Sequence, residues 1–377
     1  MKALLSASVV IVFVLAAIAA PVQAQTFTVL SNFTGSSGAY PYGGLMQDSA
    51  GTLYGTTYAG GSFSVGTIFA VIYGAEPVLH SFNGSDGSIP KGGLIRDKDG
   101  NLYGTTQEGG TFGAGTVFQL DTNGILTTLH SFAGGSYDGA APFGGLVRDS
   151  TGNLYGTTES GGSAGFGTVW TLSPGGTETV LYNFSGPDGA NPAYGSLMLD
   201  KTGNLYGVTA YGGAANDGVI FRITTGGSFT VLHSFTGADG SLAYGTPVED
   251  ANGNLYGTAA EGGKHGGGTV WRLTSSGALT VLHHFTGGTS DGGYPLAGLV
   301  RDSKGNLYGV TYYGGSSGQG TVFKVKGRTF TLLHSFTCAT DGCYPVGALI
   351  EDGNGNLYGT GNVGGSFGSG TVWKITP

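Results

Sequence analysis

The sequence predicts an all-β chain, a seven-bladed β-propeller of four-stranded antiparallel blades, with the ring closed by the N-terminal strand pairing into the last blade. Three observations predict it. The tripeptide Leu-Tyr-Gly occurs seven times, with its tyrosine at Tyr54, Tyr103, Tyr155, Tyr206, Tyr256, Tyr308 and Tyr358, at spacings of 49 to 52 residues. Each repeat holds short runs of β-branched and aromatic residues between turn signals, and no stretch of helical period. The last repeat stops one strand short, and the missing strand stands at the opposite end of the chain.

Within the second repeat the four strands are read at 93–96, 101–105, 116–120 and 128–132, called a, b, c and d. The a–b connection is Asp97-Lys98-Asp99-Gly100, and its first Asp and its Gly recur in every repeat, from Asp48 and Gly51 to Asp352 and Gly355. This is turn chemistry, because an Asp side chain accepts backbone N–H groups and Gly takes positive φ. The second Asp, Asp99, gives this one repeat a faint likeness to the start of a calcium loop, but the six others lack it.

A blade of four such strands is too small to bury both faces, so blades must stack on one another. The last repeat ends after strand c, at Gly370-Thr371-Val372-Trp373-Lys374-Ile375-Thr376-Pro377. A strand d resembling Thr-Val-Leu-His-Ser-Phe is found instead as Thr28-Val29-Leu30-Ser31-Asn32-Phe33. Seven complete blades exist only if this segment becomes the outer strand of the last one. A solenoid would need dissimilar capping repeats, which are absent.

Residues 1–24 read as a signal peptide, with Lys2, an apolar run and a cleavage site ending Val22-Gln23-Ala24. Residues 25–377 then form a single propeller domain. The apolar run falls short of the about 20 residues of a membrane span, so the expected product is exported to the periplasm or beyond, without membrane insertion after cleavage. Net charge is −8 and no basic cluster occurs, which excludes nucleic acid as a partner. The 77 glycines punctuate strands, since 39% apolar content supplies a core.

In an up-and-down meander the b–c and d–a loops share one face, and long loops on a rigid scaffold are where ligands bind. The b–c loops span 58–66, 107–115, 159–167, 210–218, 260–268, 312–320 and 362–370, each with a Gly-Gly pair. No helix follows them, so they are not phosphate cradles. The residues before Gly-Gly differ between repeats and supply the ligand-binding candidates Tyr58, Glu108, Glu159, Tyr211, Glu261, Tyr312 and Tyr313. Aromatic faces that stack and carboxylates that accept hydroxyl hydrogen bonds suit sugars or polar peptides.

The d–a loops carry Asp-Gly at Asp86, Asp138, Asp188, Asp239, Asp291 and Asp341, with a proline following in most repeats. Each loop offers one carboxylate against the six to eight oxygens of a calcium ion, so these read as turn formers, and neither metal nor cofactor is expected. Strand d repeats a histidine, at His80, His130, His233, His283 and His334, which reads as a recurring hydrogen bond between strands or blades. His284 is adjacent to His283, and His265 alone lies outside the pattern. Cys338 and Cys343, five residues apart in an oxidising compartment, are expected to form a disulfide.

The repeat, read as Asp-x-x-Gly-Asn-Leu-Tyr-Gly-Thr-Thr, then Gly-Gly, then Gly-Thr-Val-Phe and Leu-His-Ser-Phe, closely resembles the GloVer tandem-repeat family of exported bacterial proteins over the whole mature chain. Its Asp turn is also similar to that of sensor ectodomains and of the virginiamycin B lyase type, a group that includes both binders and enzymes. No catalytic residue carries over from the resemblance. A binding or interaction module is the favoured reading, with carbohydrate or a cell-envelope protein as partner. The alternatives are a polysaccharide lyase or hydrolase at the axial mouth, where Glu108, Glu261 and His265 are scattered candidates, and a structural envelope component.

Overall fold

A computed structural model describes residues 25–192 and 195–377, a succession of strands, turns and loops; the expected leader at 1–24 lies outside the described residues. Seven four-stranded antiparallel sheets follow one another in a ring. In the second blade they run from Ile95–Arg96 at the axis through Leu102–Thr106 and Thr116–Leu120 to Leu126–Ser131 at the rim. Strand a is thus only two residues long, and strand d starts two residues earlier than its sequence pattern indicates.

The seventh blade is completed from the other end of the chain. Thr26–Asn32 pairs antiparallel with Thr371–Thr376, in register from Thr26↔Thr376 to Asn32↔Thr371. Phe27 stacks on His334 at 3.9 Å, and Phe33 is fully buried and meets Phe69 of the first blade edge-on, with ring centroids 4.9 Å apart. The N-terminal strand therefore joins the last blade to the first.

Each letter of Leu-Tyr-Gly has its own task. The leucines are buried, from Leu53 to Leu357. The tyrosine hydroxyl donates to the turn Asp six residues earlier in all seven blades, as from Tyr103 to Asp97 at 3.0 Å. The glycine makes room for the aromatic ring of strand c: a Cβ on Gly257 would lie 2.3 Å from Cζ2 of Trp271. Asp97 also accepts the backbone N–H groups of Asp99 and Asn101, so this stretch is a closed turn like its six sisters.

Strand d departs from simple alternation. In every blade the c–d pairing slips by one residue, and in the second blade Thr128 pairs with Phe118 while His130 pairs with Val117, leaving Leu129 unpaired. A bulge re-aims side chains. Here Leu129 packs on the core, Phe132 is fully buried and His130 turns toward the following loop.

At the axis the blades meet backbone to backbone. A Cβ on Gly43 would sit 2.6 Å from the carbonyl oxygen of Gly92, one on Gly92 2.7 Å from that of Gly144, and one on Gly144 2.3 Å from that of Gly195. The series continues through Gly245 against Gly298 and returns with Gly347 2.7 Å from the carbonyl of Gly43. Side chains at these positions would force the ring open. What remains is an axial cavity of about 190 Å³, lined by the inner strands together with Tyr42 and Lys91.

Candidate functional site

Both sets of long loops lie on one face because each d–a loop forms a short bridge with the b–c loop of its own blade. The bridges include Ala39↔Ala59, Ser88↔Glu108, Ala140↔Ser160, Ser241↔Glu261 and Gly293↔Tyr313. The next residue in each loop adopts a left-handed backbone, at Tyr40, Ile89, Ala141, Asn191, Leu242, Tyr294 and Tyr344, with φ between 51° and 62°. Such a conformation costs an L-residue roughly 1–2 kcal/mol. Six of the seven precede proline, which removes the right-handed alternative. Hydrogen bonds to the preceding blade hold the geometry, as from Ile89 N to Val65 O and from Tyr344 N to Gln319 O, both 2.9 Å.

The residue after the proline then turns into the mouth. In blades one to three this places Tyr42, Lys91 and Phe143 together. The Lys91 ammonium lies 4.2 Å from the ring centroid of Phe143, 5.2 Å from Tyr58 and 5.4 Å from Tyr42. Burial lowers its pKa, while the carboxylates of Glu159 and Glu108 act in the opposite direction. Three of the sequence candidates, Tyr58, Glu108 and Glu159, thus surround one cation. Lys91 is the single basic residue in the seven d–a loops.

Across the axis the mouth is built from tyrosines. Tyr312 stacks on Tyr344 at 4.9 Å and meets Tyr313 edge-on at 4.6 Å, while Tyr313 lies 6.0 Å from Tyr294. The Tyr294 hydroxyl donates to Oε1 of Glu261 at 2.6 Å. Burial raises the Tyr294 pKa, as do that hydrogen bond, the Glu261 charge and the neighbouring Tyr211 and Tyr313. The remaining four candidates, Tyr211, Glu261, Tyr312 and Tyr313, therefore belong to this second group, and Tyr211 and Tyr313 are half exposed.

Sequence reasoning missed Lys91, Tyr42, Phe143, Tyr294 and Tyr344. All five flank the d–a loop proline, so the signal was present as residue variety on either side of a repeated Pro. His265 is exposed and takes no part in either group.

The repeated histidine and the repeated d–a Asp turn out to be one device. Nε2 of His80, His233, His283 and His334 lies 2.9 to 3.1 Å from the Asp of the following loop, and Asp86 also caps the Asn83 N–H. The bond joins strand d to its own loop. Tyr182 replaces the histidine against Asp188. Recurrence around the rim marks these pairs as scaffold. Cys338 and Cys343 are joined as a disulfide, with Cα atoms 4.7 Å apart.

Residues 20–198 and 193–377 each match the family model described as the Gloeobacter/Verrucomicrobia repeat. No curated protein matches in sequence. Among solved structures, virginiamycin B lyase from Staphylococcus aureus superimposes with a TM-score of 0.62 at 15% identity, over 94% of this chain and 99% of that one. The extracellular domain of a one-component system from B. thetaiotaomicron does so at 0.60 and 11%, over 92% of this chain and 40% of that one. A surface component of the type-IX secretion system of Porphyromonas gingivalis reaches 0.53 and 16%, over 89% and 46%. These likenesses show the fold alone. Among the described residues no helix is long and apolar enough to cross a membrane.

Proposed function

The chain belongs to the Gloeobacter/Verrucomicrobia repeat family, and from that starting point we propose that it is an exported binding module whose long-loop mouth takes a saccharide carrying an acidic group. The observation that carries the reading is the caged Lys91. An ammonium pressed against three aromatic rings has lost part of its water shell and gains most from an anionic partner. The rings beside it and the tyrosines opposite offer apolar faces for sugar rings, and Glu261 and Glu108 offer acceptors for hydroxyls. Signal cleavage after Ala24 would deliver the domain to the periplasm or medium, where cell-envelope glycans are the available polymers of this chemistry.

A second reading rests on the same lysine. Basicity lowered by burial is also what a proton-abstracting lysine in a polysaccharide lyase needs. One experiment separates the two. The protein is screened against acidic and neutral glycans and peptidoglycan, and each retained polymer is assayed for unsaturated products and new reducing ends. Retention of acidic glycans without cleavage, lost in Lys91→Ala and in Tyr312→Ala, supports the binding module. New unsaturated ends that disappear in Lys91→Ala would move the assignment to a lyase, and equal retention by Lys91→Ala with no cleavage by the wild type would refute both.

A further inference from the structure

The outer strands of neighbouring blades meet at a repeated junction: the residue two before the strand-d phenylalanine faces the residue six before it in the next blade. At three junctions this is a stacked ring pair, Tyr182 on Phe229 at 3.9 Å, His283 on Phe330 at 4.3 Å and His334 on Phe27 at 3.9 Å. Between the second and third blades the partner is a carboxylate. Glu178 stands where those blades have phenylalanine, facing His130 and its loop partner Asp138.

The ligand atoms of His130, Asp138 and Glu178 lie within 4.8 Å of one another. The His130–Asp138 contact has opened to 3.5 Å, against 2.9 to 3.1 Å in the four sister pairs. Nε2 of His130 and Oε1 of Glu178 are both shut off from solvent without a hydrogen-bond partner. Asp138 is fixed from behind by the N–H groups of Ala133 and Gly139, both at 2.7 Å. Two carboxylates and an imidazole gathered this closely, with the imidazole nitrogen making no hydrogen bond and its contact to Asp138 lengthened, leave a need that a cation meets.

We propose that His130, Asp138 and Glu178 form a binding site for one divalent transition-metal ion of the zinc class, bridging the second and third blades. Imidazole with two carboxylates suits such an ion, at distances of roughly 2.0–2.2 Å that small side-chain rotations reach. The two carboxylates balance its charge. Within a single d–a loop the carboxylate is alone; the second arrives only from the neighbouring blade.

The test is calorimetric titration of untagged protein with Zn²⁺, with Co²⁺ absorption as a spectroscopic readout and Ca²⁺ as comparison. The expected result is one equivalent of Zn²⁺ bound at micromolar or lower concentration, weakened at least tenfold in Glu178→Phe and in Glu178→Gln. Glu178→Phe copies the position in three sister blades, and Glu178→Gln keeps the shape, so a melting curve on each separates lost binding from lost fold. No heat with up to 100 μM Zn²⁺, undiminished binding by both variants, or preference for Ca²⁺ over Zn²⁺ would each overturn the site.

Discussion

Ring closure by the N-terminal strand can be tested with one ring-to-methyl truncation and its twin elsewhere in the molecule. Phe33 ends the latch strand and Phe235 ends the corresponding strand of the fourth blade; both are fully buried. Phe33 packs edge-on against Phe69, and Phe235 lies tilted against Trp271. Removing a buried phenylalanine ring costs about 3–5 kcal/mol, because a cavity is left in addition to the lost transfer free energy. Phe235 sits in a strand with covalent connections at both ends, so Phe235→Ala must show that loss. Phe33→Ala shows it only if Thr26–Asn32 is docked on Thr371–Thr376 in solution. Urea unfolding followed by tryptophan fluorescence gives both values, since Trp373 belongs to the blade the latch completes. Equal losses support the closed ring. A Phe33→Ala protein within about 0.5 kcal/mol of wild type, the range of surface substitutions, would refute the latch.

The glycine of Leu-Tyr-Gly gives a second prediction: Gly257→Ala, forced against Trp271, should lose about 1–3 kcal/mol by overpacking, whereas Gly353→Ala, with open space around it, should lose nothing, as measured by chemical denaturation. The turn aspartates give a third. Burial pushes the Asp149 carboxyl up, but hydrogen bonds from Asn153, Thr151 and Tyr155 overcome this and hold it at about 2, and Asp200 and Asp250 are likewise held at about 2. A folded value below the ordinary 3.8 means stability present above pH 3.8 and lost as pH falls toward 2. After allowance for solvent screening each contributes about 1 kcal/mol, so Asp149→Asn should flatten the fall in melting temperature between pH 4 and pH 2. An unchanged acid profile would show that the turn does not depend on the charge.

The repeat count, the blade composition and the latch were legible because they follow from period and from a strand displaced to the other end of the chain. The seven candidates before Gly-Gly were legible as positions, and they do lie on the long-loop face. Their grouping was not. Lys91 meets Glu108 of its own blade and Glu159 of the next, and a linear repeat shows that these blades are neighbours without showing which loop side chains turn toward one another. The pairing of His80 with Asp86 was hidden for a local reason: the strand-d bulge breaks the two-residue alternation that predicts where a side chain points. The left-handed residue before each loop proline was likewise hidden, because proline excludes one backbone basin without naming the one adopted.

That left-handed residue explains how one scaffold carries an uneven site. The same strained geometry recurs in every blade, at residues as different as Tyr40, Ile89, Ala141 and Asn191, so the strain belongs to the scaffold rather than to any one ligand contact. Its consequence is a constant backbone path through the proline and into the mouth. Side chains after the proline can then differ freely, as Tyr42, Lys91, Phe143, Leu296 and Val346 do, without disturbing the glycine contacts that close the ring just behind them. The cost is borne at a residue whose N–H is bonded to the preceding blade, and the freedom appears one or two residues later. A cationic group in the first three blades and a tyrosine group in the fourth to seventh are what this freedom has produced here. A ligand that contacts both must lie across the axis, which favours an extended oligomer over a compact small molecule.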